Sequence, residues 1–385
     1  LYGIDEGLVS DGIRADLEAY LTYLGGSDPF ATHAKPFKPN SLRAIKGHLW
    51  RYLSALHYQG VDLTSHSSLQ SLVTIPMFKL GIKWFWDRNE ETTSKHIGEI
   101  AWAVRCYAVK HLSADDETVA FYADAMKRLR ISQQGLSDKN QIAMAQFDDP
   151  RLVESFVSLP PRLWDKAEAM SKAASAPRIT KKAQLLAQAA VAIEILMFAP
   201  MRLTNLQCLR LDEHISWQAE RMRINIPSQQ VKNDQALDFL LPASVSKRIK
   251  TYIDKWRMHF TSGHNPHLFP GRNGKPKDGT CLRRQIEQTL WNEAGIRLTP
   301  HQFRHAAAKI LLDAKPGHYE VVRKVLGHKS LTTTYSHYAG AETQAAISLY
   351  DDVIIQHRQR KAFDLGQDNR APEPPISMAS RMVTG

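Results

Sequence analysis

Thr299-Pro300-His301-Gln302-Phe303-Arg304-His305-Ala306-Ala307-Ala308 is the stretch on which the reading of this chain turns. The Thr-Pro pair interrupts what precedes it, and the alanine-rich run predicts a helix with two histidines and an arginine in its first turns. A helix start exposes unpaired N–H groups and carries partial positive charge, so cationic side chains placed there suit a phosphate. His301 and His305, four apart on one helical face, could instead be metal ligands as in zinc hydrolases. Those enzymes keep a Glu base between the histidines; here the residue is Gln302, and no third ligand stands nearby, so neither a metal nor a cofactor is expected.

Working outward, Leu326-Gly327-His328 follows, then Thr332-Thr333-Thr334-Tyr335-Ser336-His337-Tyr338-Ala339-Gly340. A glycine there ends a helix in a left-handed cap and turns His328 toward the same place. Upstream lies Ala199-Pro200-Met201-Arg202-Leu203-Thr204-Asn205-Leu206. Between the two regions, Met222-Ile224-Ile226 and Leu237-Phe239-Leu241 alternate with period two on either side of a polar turn, Gln229 to Gln235. This predicts a β-hairpin with Lys232 near its tip.

With these residues in this order, the chain resembles the tyrosine recombinase family, the phage integrase and Xer-like enzymes. Their catalytic domain carries an arginine after a small-residue turn, a hairpin lysine, an H-x-x-R-H helix start, an L-G-H turn and a tyrosine about ten residues later. The resemblance covers about residues 150 to 350. It implies a mainly α fold with a small antiparallel β-sheet, arranged as a two-domain clamp of a helical core-binding domain and an integrase-like catalytic domain. It implies a site-specific recombinase that cleaves and rejoins duplex DNA at specific recombination sites, through a 3′-phosphotyrosine intermediate and a Holliday junction. Such enzymes act as a homotetramer on DNA, with accessory DNA-bending proteins as further possible partners, and serve mobile genetic elements. Asn205 departs from the pattern: many relatives have Glu there, a residue that supports the fold near the arginine.

The chemistry explains why these residue types belong together. Transesterification at a phosphodiester passes through a highly charged pentacoordinate phosphorus, and planar guanidinium forks on Arg202 and Arg304 match its non-bridging oxygens. His301 would accept the phenolic proton or bond the phosphate, His328 would bond a non-bridging oxygen, and Lys232 would protonate the departing 5′ oxygen. His305 would support the site from behind. A phenoxide, with a pKa of about 10, is a good enough leaving group for the DNA hydroxyl to reverse the step. Tyr338 is the expected nucleophile, ten residues after His328; Tyr335, seven after it, is the alternative.

The rest of the chain fits a two-domain protein. At 385 residues it exceeds one ordinary core. Residues 1–135 read as a helical DNA-binding domain, 136–150 as a linker, 151–350 as the catalytic domain, and 351–385 as a helix end and flexible tail. Apolar spacings of three and four in Leu17-Tyr20-Leu21-Leu24, Leu49-Tyr52-Leu53-Leu56 and Ile97-Ile100-Ala101-Val104 predict the first domain's helices. Basic residues recur on those segments, and Arg43, Lys46, Arg51, Lys79, Lys83 and Arg105 are candidates for tracking the DNA backbone, against the plainer reading of solvated helix faces. A formal charge of +11 favours a polyanionic partner. Three scattered cysteines, expected to be buried, suit a reducing compartment. The first residues carry no secretion signal and Leu185 to Phe198 is too short to span a bilayer, so a soluble protein, cytoplasmic and associated with a bacterial nucleoid, is expected. A segment from Ala345 to Gln359 reads as a helix that docks on a neighbouring protomer or packs on its own domain. The competing readings are a type IB topoisomerase or telomere resolvase, which share the phosphotyrosine chemistry, a catalytically inactive DNA-binding relative, and an RNA-binding protein. The last lacks aromatic stacking motifs.

Overall fold

The computed structural model describes residues 3–26, 35–131, 135–173, 177–261, 263–338 and 343–368, with backbone alone at 177–179, 343–345 and 360–368. Ser132-Gln133-Gln134, Ala339-Gly340 after Tyr338, and the expected tail beyond Asp368 lie outside the described residues. The chain divides into two compact units, Leu1–Ser132 and Gln133–Gly385.

The first unit is helical: α1 (Asp11–Gly25), α2 (Pro39–Tyr58), α3 (Ile75–Arg88), α4 (Lys95–Arg105) and α5 (Asp116–Arg128). Each start has a local cause. Ser10, Ser94 and Asp115 accept from backbone N–H groups three residues on, and proline occupies the first turns of α2 and α3. The apolar stripes meet in one core, with Leu17, Leu49, Leu53, Leu56, Ile100 and Val104 almost wholly buried. Tyr52 and Tyr122 sit inside it because their hydroxyls donate to the carbonyls of Leu72 and Val73, so neither hydroxyl is stranded.

The second unit begins earlier than the expected catalytic boundary. Residues 136–150, read as a linker, instead contain α6 (Asp138–Ala145), with Met144 and Phe147 buried in the unit's main core. The segment looks like a linker because its surface is polar; its few apolar side chains are what anchor it. There follow α7 (Pro150–Val157), α8 (Leu159–Lys172), α9 (Pro177–Phe198) and the short α10 (Leu203–Gln207), and a three-stranded antiparallel sheet of β1 (Ile215–Gln218), β2 (Arg221–Ile226) and β3 (Leu237–Leu240) in that order. The hairpin of β2 and β3 pairs Ile224 with Phe239 and Ile226 with Leu237. β1 was not anticipated, since Ser216, Trp217 and Gln218 are all exposed and show no alternation. The chain continues through α11 (Ala243–Thr251), α12 (Gly279–Ala294), α13 (Phe303–Ala314), α14 (Tyr319–Leu326), α15 (Leu331–Tyr338) and α16 (Thr343–Asp368).

α9 is the central helix, buried over most of its length as its composition predicts. Two of its buried polar residues, Glu194 and Gln188, have their partners in the fold. Glu194 receives two bonds of 2.8 Å from the Arg248 guanidinium, and Gln188 donates to the Tyr252 hydroxyl and accepts from Lys277. Of the cysteines only Cys106 is buried; Cys208, just past α10, and Cys281, in the first turn of α12, are exposed, contrary to expectation. Their positions at helix ends leave them outside the core.

Candidate active site

α13 carries the site on two faces. Phe303 and Ala306 enter the main core, while Ala308 and Leu312 form a second, smaller cluster with Tyr319, Val322, Leu326 and Tyr338. That cluster fixes α14 and α15 against α13, and so sets the L-G-H turn and the tyrosine beside the H-x-x-R-H segment. The helix starts at Phe303, later than expected; His301 lies in the preceding turn and Gln302 is the cap residue.

Arg304 is 4 % exposed and is held at both ends of its fork. Nη1 donates to the Pro200 carbonyl at 2.7 Å and Nη2 to the Leu326 carbonyl at 2.6 Å. It thereby ties the turn before Arg202 to the turn before His328. The expected role, a fork open to phosphate, is therefore changed: two of its five N–H groups are spent on the scaffold. Burial first, and Arg202 second, bring its pKa down to about 10. Two guanidiniums held this close favour an anion between them. Arg202 is the more open, half-buried, with one long bond of 3.4 Å to Asn233 Oδ1.

His328 is presented by Gly327, whose φ of 59° is left-handed. The N–H groups of Gly327 and His328 return to the carbonyls of Lys324 and Arg323, the two bonds of a Schellman ending. His328 Nδ1 is 2.9 Å from the hydroxyl of the fully buried Thr334, which leaves Nε2 for a ligand. Lys232 is exposed in the turn between β2 and β3. Its neighbour Asn233 donates to the Gly327 carbonyl at 2.7 Å while meeting Arg202, so one side chain links the hairpin tip, the glycine turn and the first arginine.

Tyr338 is 2 % exposed, its hydroxyl 2.8 Å from His305 Nδ1. The hydroxyl therefore meets His305, whereas the sequence suggested His301 as its partner. His301 is exposed, its ring centroid 5.4 Å from that of His305. Tyr335, by contrast, stacks on Tyr319 with centroids 4.2 Å apart and is 47 % exposed.

The electrostatics record how closely these groups converge. Desolvation, then Arg304, Arg202, His337 and Lys232, lowers the pKa of His301. His305 and His328 are each lowered to about 4, by burial first and then, for His305, by His301, His337, Arg304 and His328 and, for His328, by Arg304, His337, Arg202 and Arg323. Both imidazoles are neutral at neutral pH, able to donate one proton and accept another. Burial raises Tyr338 above the ordinary phenol value, and Arg304 opposes that shift. An arrangement of two guanidiniums, three imidazoles and one buried phenol can bind a phosphodiester and move protons around it.

The six basic residues of the first unit are differently placed. Lys46 pairs with Glu18, Lys83 with Asp87, and Arg43 meets Asn40. Lys79 lies over the Phe121 ring, Arg51 is exposed, and Arg105 is half-buried. Among the described residues, His48, His96 and Glu99 bring three possible metal-ligand atoms within 4.8 Å of one another. Arg51 acts on both histidines and Lys95 stands 3.9 Å from Glu99, which opposes a bound cation. Asn233, Asn140 and Thr334 have no sequence signal as site residues; only their partners across the fold reveal them.

Residues 165–345 match the phage integrase family model. A tyrosine recombinase of Agathobacter rectalis is 32% identical over 98 residues, 25% of this chain and 30% of that protein. Tyrosine recombinase XerD of Chlamydia pneumoniae is 33% identical over 121 residues, 30% of this chain and 38% of that protein. The matched stretches thus span about a third of these curated relatives. Among solved structures, XerH site-specific recombinase bound to palindromic difH substrate, in a post-cleavage complex, superposes with a TM-score of 0.51 at 14% identity, covering 91% of this chain and 99% of that one. The pre-cleavage complex with difH gives 0.50 at 16% identity, covering 89% and 98%. These two share the fold. Over residues 165–345 the chain is thus similar to the phage integrase family, and over shorter stretches to tyrosine recombinases. Among the described residues no helix is long and apolar enough to cross a membrane.

Proposed function

We propose that this protein is a site-specific DNA recombinase of a mobile genetic element, which cuts and rejoins duplex DNA through a 3′-phosphotyrosine on Tyr338. The observation that carries this reading is the clustering of Arg202, Arg304, His301 and His328, which act on one another electrostatically, beside His305 and the buried Tyr338 hydroxyl that it meets. In the cleavage step the Tyr338 oxygen bonds to phosphorus and the bond to the 5′ oxygen breaks. His301 takes the phenolic proton, Lys232 supplies one to the 5′ oxygen, and the arginines with His328 hold the non-bridging oxygens. A 5′ hydroxyl from the partner duplex then attacks the phosphotyrosine, which exchanges strands through a Holliday junction without loss of the bond's energy.

On this reading four protomers work on two sites. α16 fits such an assembly, because Ile347, Leu349, Tyr350, Val353 and Ile355 are all at least 43 % exposed on one protomer. Arg43, Lys46, Arg51, Lys79, Lys83 and Arg105 belong to the phosphate-tracking surface, where Lys46 and Lys83 would exchange their carboxylate partners for DNA.

The test is covalent capture. Wild type, Tyr338→Phe and Tyr335→Phe are incubated with a nicked duplex carrying the end sequence of the element that encodes the protein, and adducts are resolved on denaturing gels. Wild type and Tyr335→Phe form the adduct and Tyr338→Phe does not. Loss with Tyr335→Phe alone would move the nucleophile, and the absence of any adduct on bound DNA would overturn the enzymatic reading. Equal cleavage of unrelated supercoiled DNA would indicate a topoisomerase.

A further inference from the structure

Behind Tyr338 runs a chain of hydrogen bonds whose direction is set at its far end. The backbone N–H of Thr299 donates to Gln302 Oε1 at 2.9 Å. Gln302 Nε2 lies 3.1 Å from Asn140 Oδ1, Asn140 Nδ2 lies 3.3 Å from His305 Nε2, and His305 Nδ1 lies 2.8 Å from the Tyr338 hydroxyl. Gln302 and His305 are both more than nine-tenths buried, while Asn140 between them is partly exposed.

A side-chain amide can turn over and an imidazole can carry its proton on either nitrogen, so each link alone is ambiguous. A backbone N–H is not: it only donates. Because Thr299 donates, Gln302 must offer Oε1 to it and therefore Nε2 to Asn140. Asn140 must then accept with Oδ1 and donate with Nδ2. His305 Nε2 is thus the acceptor, and a neutral His305 holds its one proton on Nδ1, facing Tyr338. Reversing any one link would set two donors or two acceptors against each other inside the protein, at the desolvation cost of an unmade bond.

We propose that Asn140 and Gln302 are positioning residues that fix His305 in the Nδ1–H tautomer, so that His305 donates to the Tyr338 oxygen and does not take its proton. A donor at that oxygen favours the developing phenoxide in cleavage and again when Tyr338 leaves. It also removes His305 from the list of bases for the phenolic proton, which must pass to a group on the DNA side, His301 in the reading above. The low pKa of His305, brought about by burial and by His301, His337, Arg304 and His328, keeps it neutral and the tautomer well defined. The catalytic consequence rests on the proposed nucleophile; the tautomer does not.

Two nearly isosteric variants reverse the chain. In Gln302→Glu both carboxylate oxygens accept, so Asn140 turns its Nδ2 toward Glu and its Oδ1 toward His305, which must then carry its proton on Nε2. Asn140→Asp imposes the same switch directly. Side-chain ¹⁵N spectra of the full chain, labelled at histidine and recorded well above the imidazole titration range, report the tautomer; a His305→Gln sample assigns the signal. Wild type shows Nδ1–H, and each variant shows Nε2–H with adduct formation slowed roughly tenfold or more, as when the orienting partner of a ligating histidine is lost. Nε2–H in wild type, or Nδ1–H retained in both folded variants, overturns the proposal. So does a switched tautomer with an unchanged cleavage rate. The spectra need no DNA, so they answer separately from the capture experiment: a wild type with the expected tautomer and no adduct counts against Tyr338 chemistry and not against the relay.

Discussion

Arg202 and Arg304 look equivalent in the sequence, each the arginine of a recognisable motif, but the fold gives them different work. Arg304 is buried with two backbone carbonyls on its fork; Arg202 is half-buried with one long bond to Asn233. Arg304→Ala should therefore strand the Pro200 and Leu326 carbonyls and lower stability by about 1–3 kcal/mol, as well as abolish cleavage. Arg202→Ala should change stability by less than about 0.5 kcal/mol and slow adduct formation by roughly 10²–10³. Thermal melts beside single-turnover cleavage separate the two; equal loss of stability in both variants would refute the division. At this scale the sequence exposes residues whose chemistry is unusual for their setting, such as two histidines and an arginine at a helix start. It hides Asn140 and Asn233, because an asparagine in a polar stretch is ordinary until its partners, His305 across 165 positions and Gly327 across 94, are known.

Among the elements, the turn between α14 and α15 depends most on a single residue. Gly327 has left-handed backbone, and a Cβ there would lie 2.7 Å from Leu237 Cδ2 on β3. Gly327→Ala should cost about 1–2 kcal/mol in backbone strain and displace His328, whose carbonyl is also held by Arg323 Nη1 at 3.1 Å. The expected result is a lower melting temperature with a cleavage defect larger than the stability loss explains; unchanged cleavage would show that the turn does not position His328. The helix ending at Leu326-Gly327 and the β2–β3 hairpin were legible because each has a sharp local signature, a glycine cap and a period-two alternation. α6 had none: Asp138-Lys139-Asn140-Gln141 is polar and Ile142 is 75 % exposed, so its helical state follows from packing on α13. β1 escaped for the same reason, its pairing with β2 being all that defines it.

For the whole molecule, the histidines predict how stability depends on pH. His48, His96, His111, His267, His301, His305 and His328 all have pKa values below the ordinary imidazole value, burial being the first cause for each. They are spread over both units, so neither is exempt. Such a group is neutral in the folded chain where the unfolded chain already binds a proton. Between the unfolded value, about 6.5, and the folded one, about 4 for His305 and His328, unfolding takes up protons. Stability contributed by these groups is therefore complete above about 6.5 and declines as the pH falls toward 4. The carboxylates lowered by partners, among them Asp149, Asp238 and Glu320, act in the same direction but only at still lower pH, near and below their unfolded values. Urea midpoints measured from pH 7.5 down to 4.5 should fall steadily, with the decline already under way by pH 6, before any carboxylate titrates. His305→Gln, which removes the most buried of the imidazoles flanking Tyr338, should lower the midpoint at pH 7.5 yet show a shallower fall toward pH 5 than wild type. Parallel curves for the two proteins would mean that His305 titrates in the folded chain as it does in the unfolded one, and that its burial beside Tyr338 is not what holds it neutral.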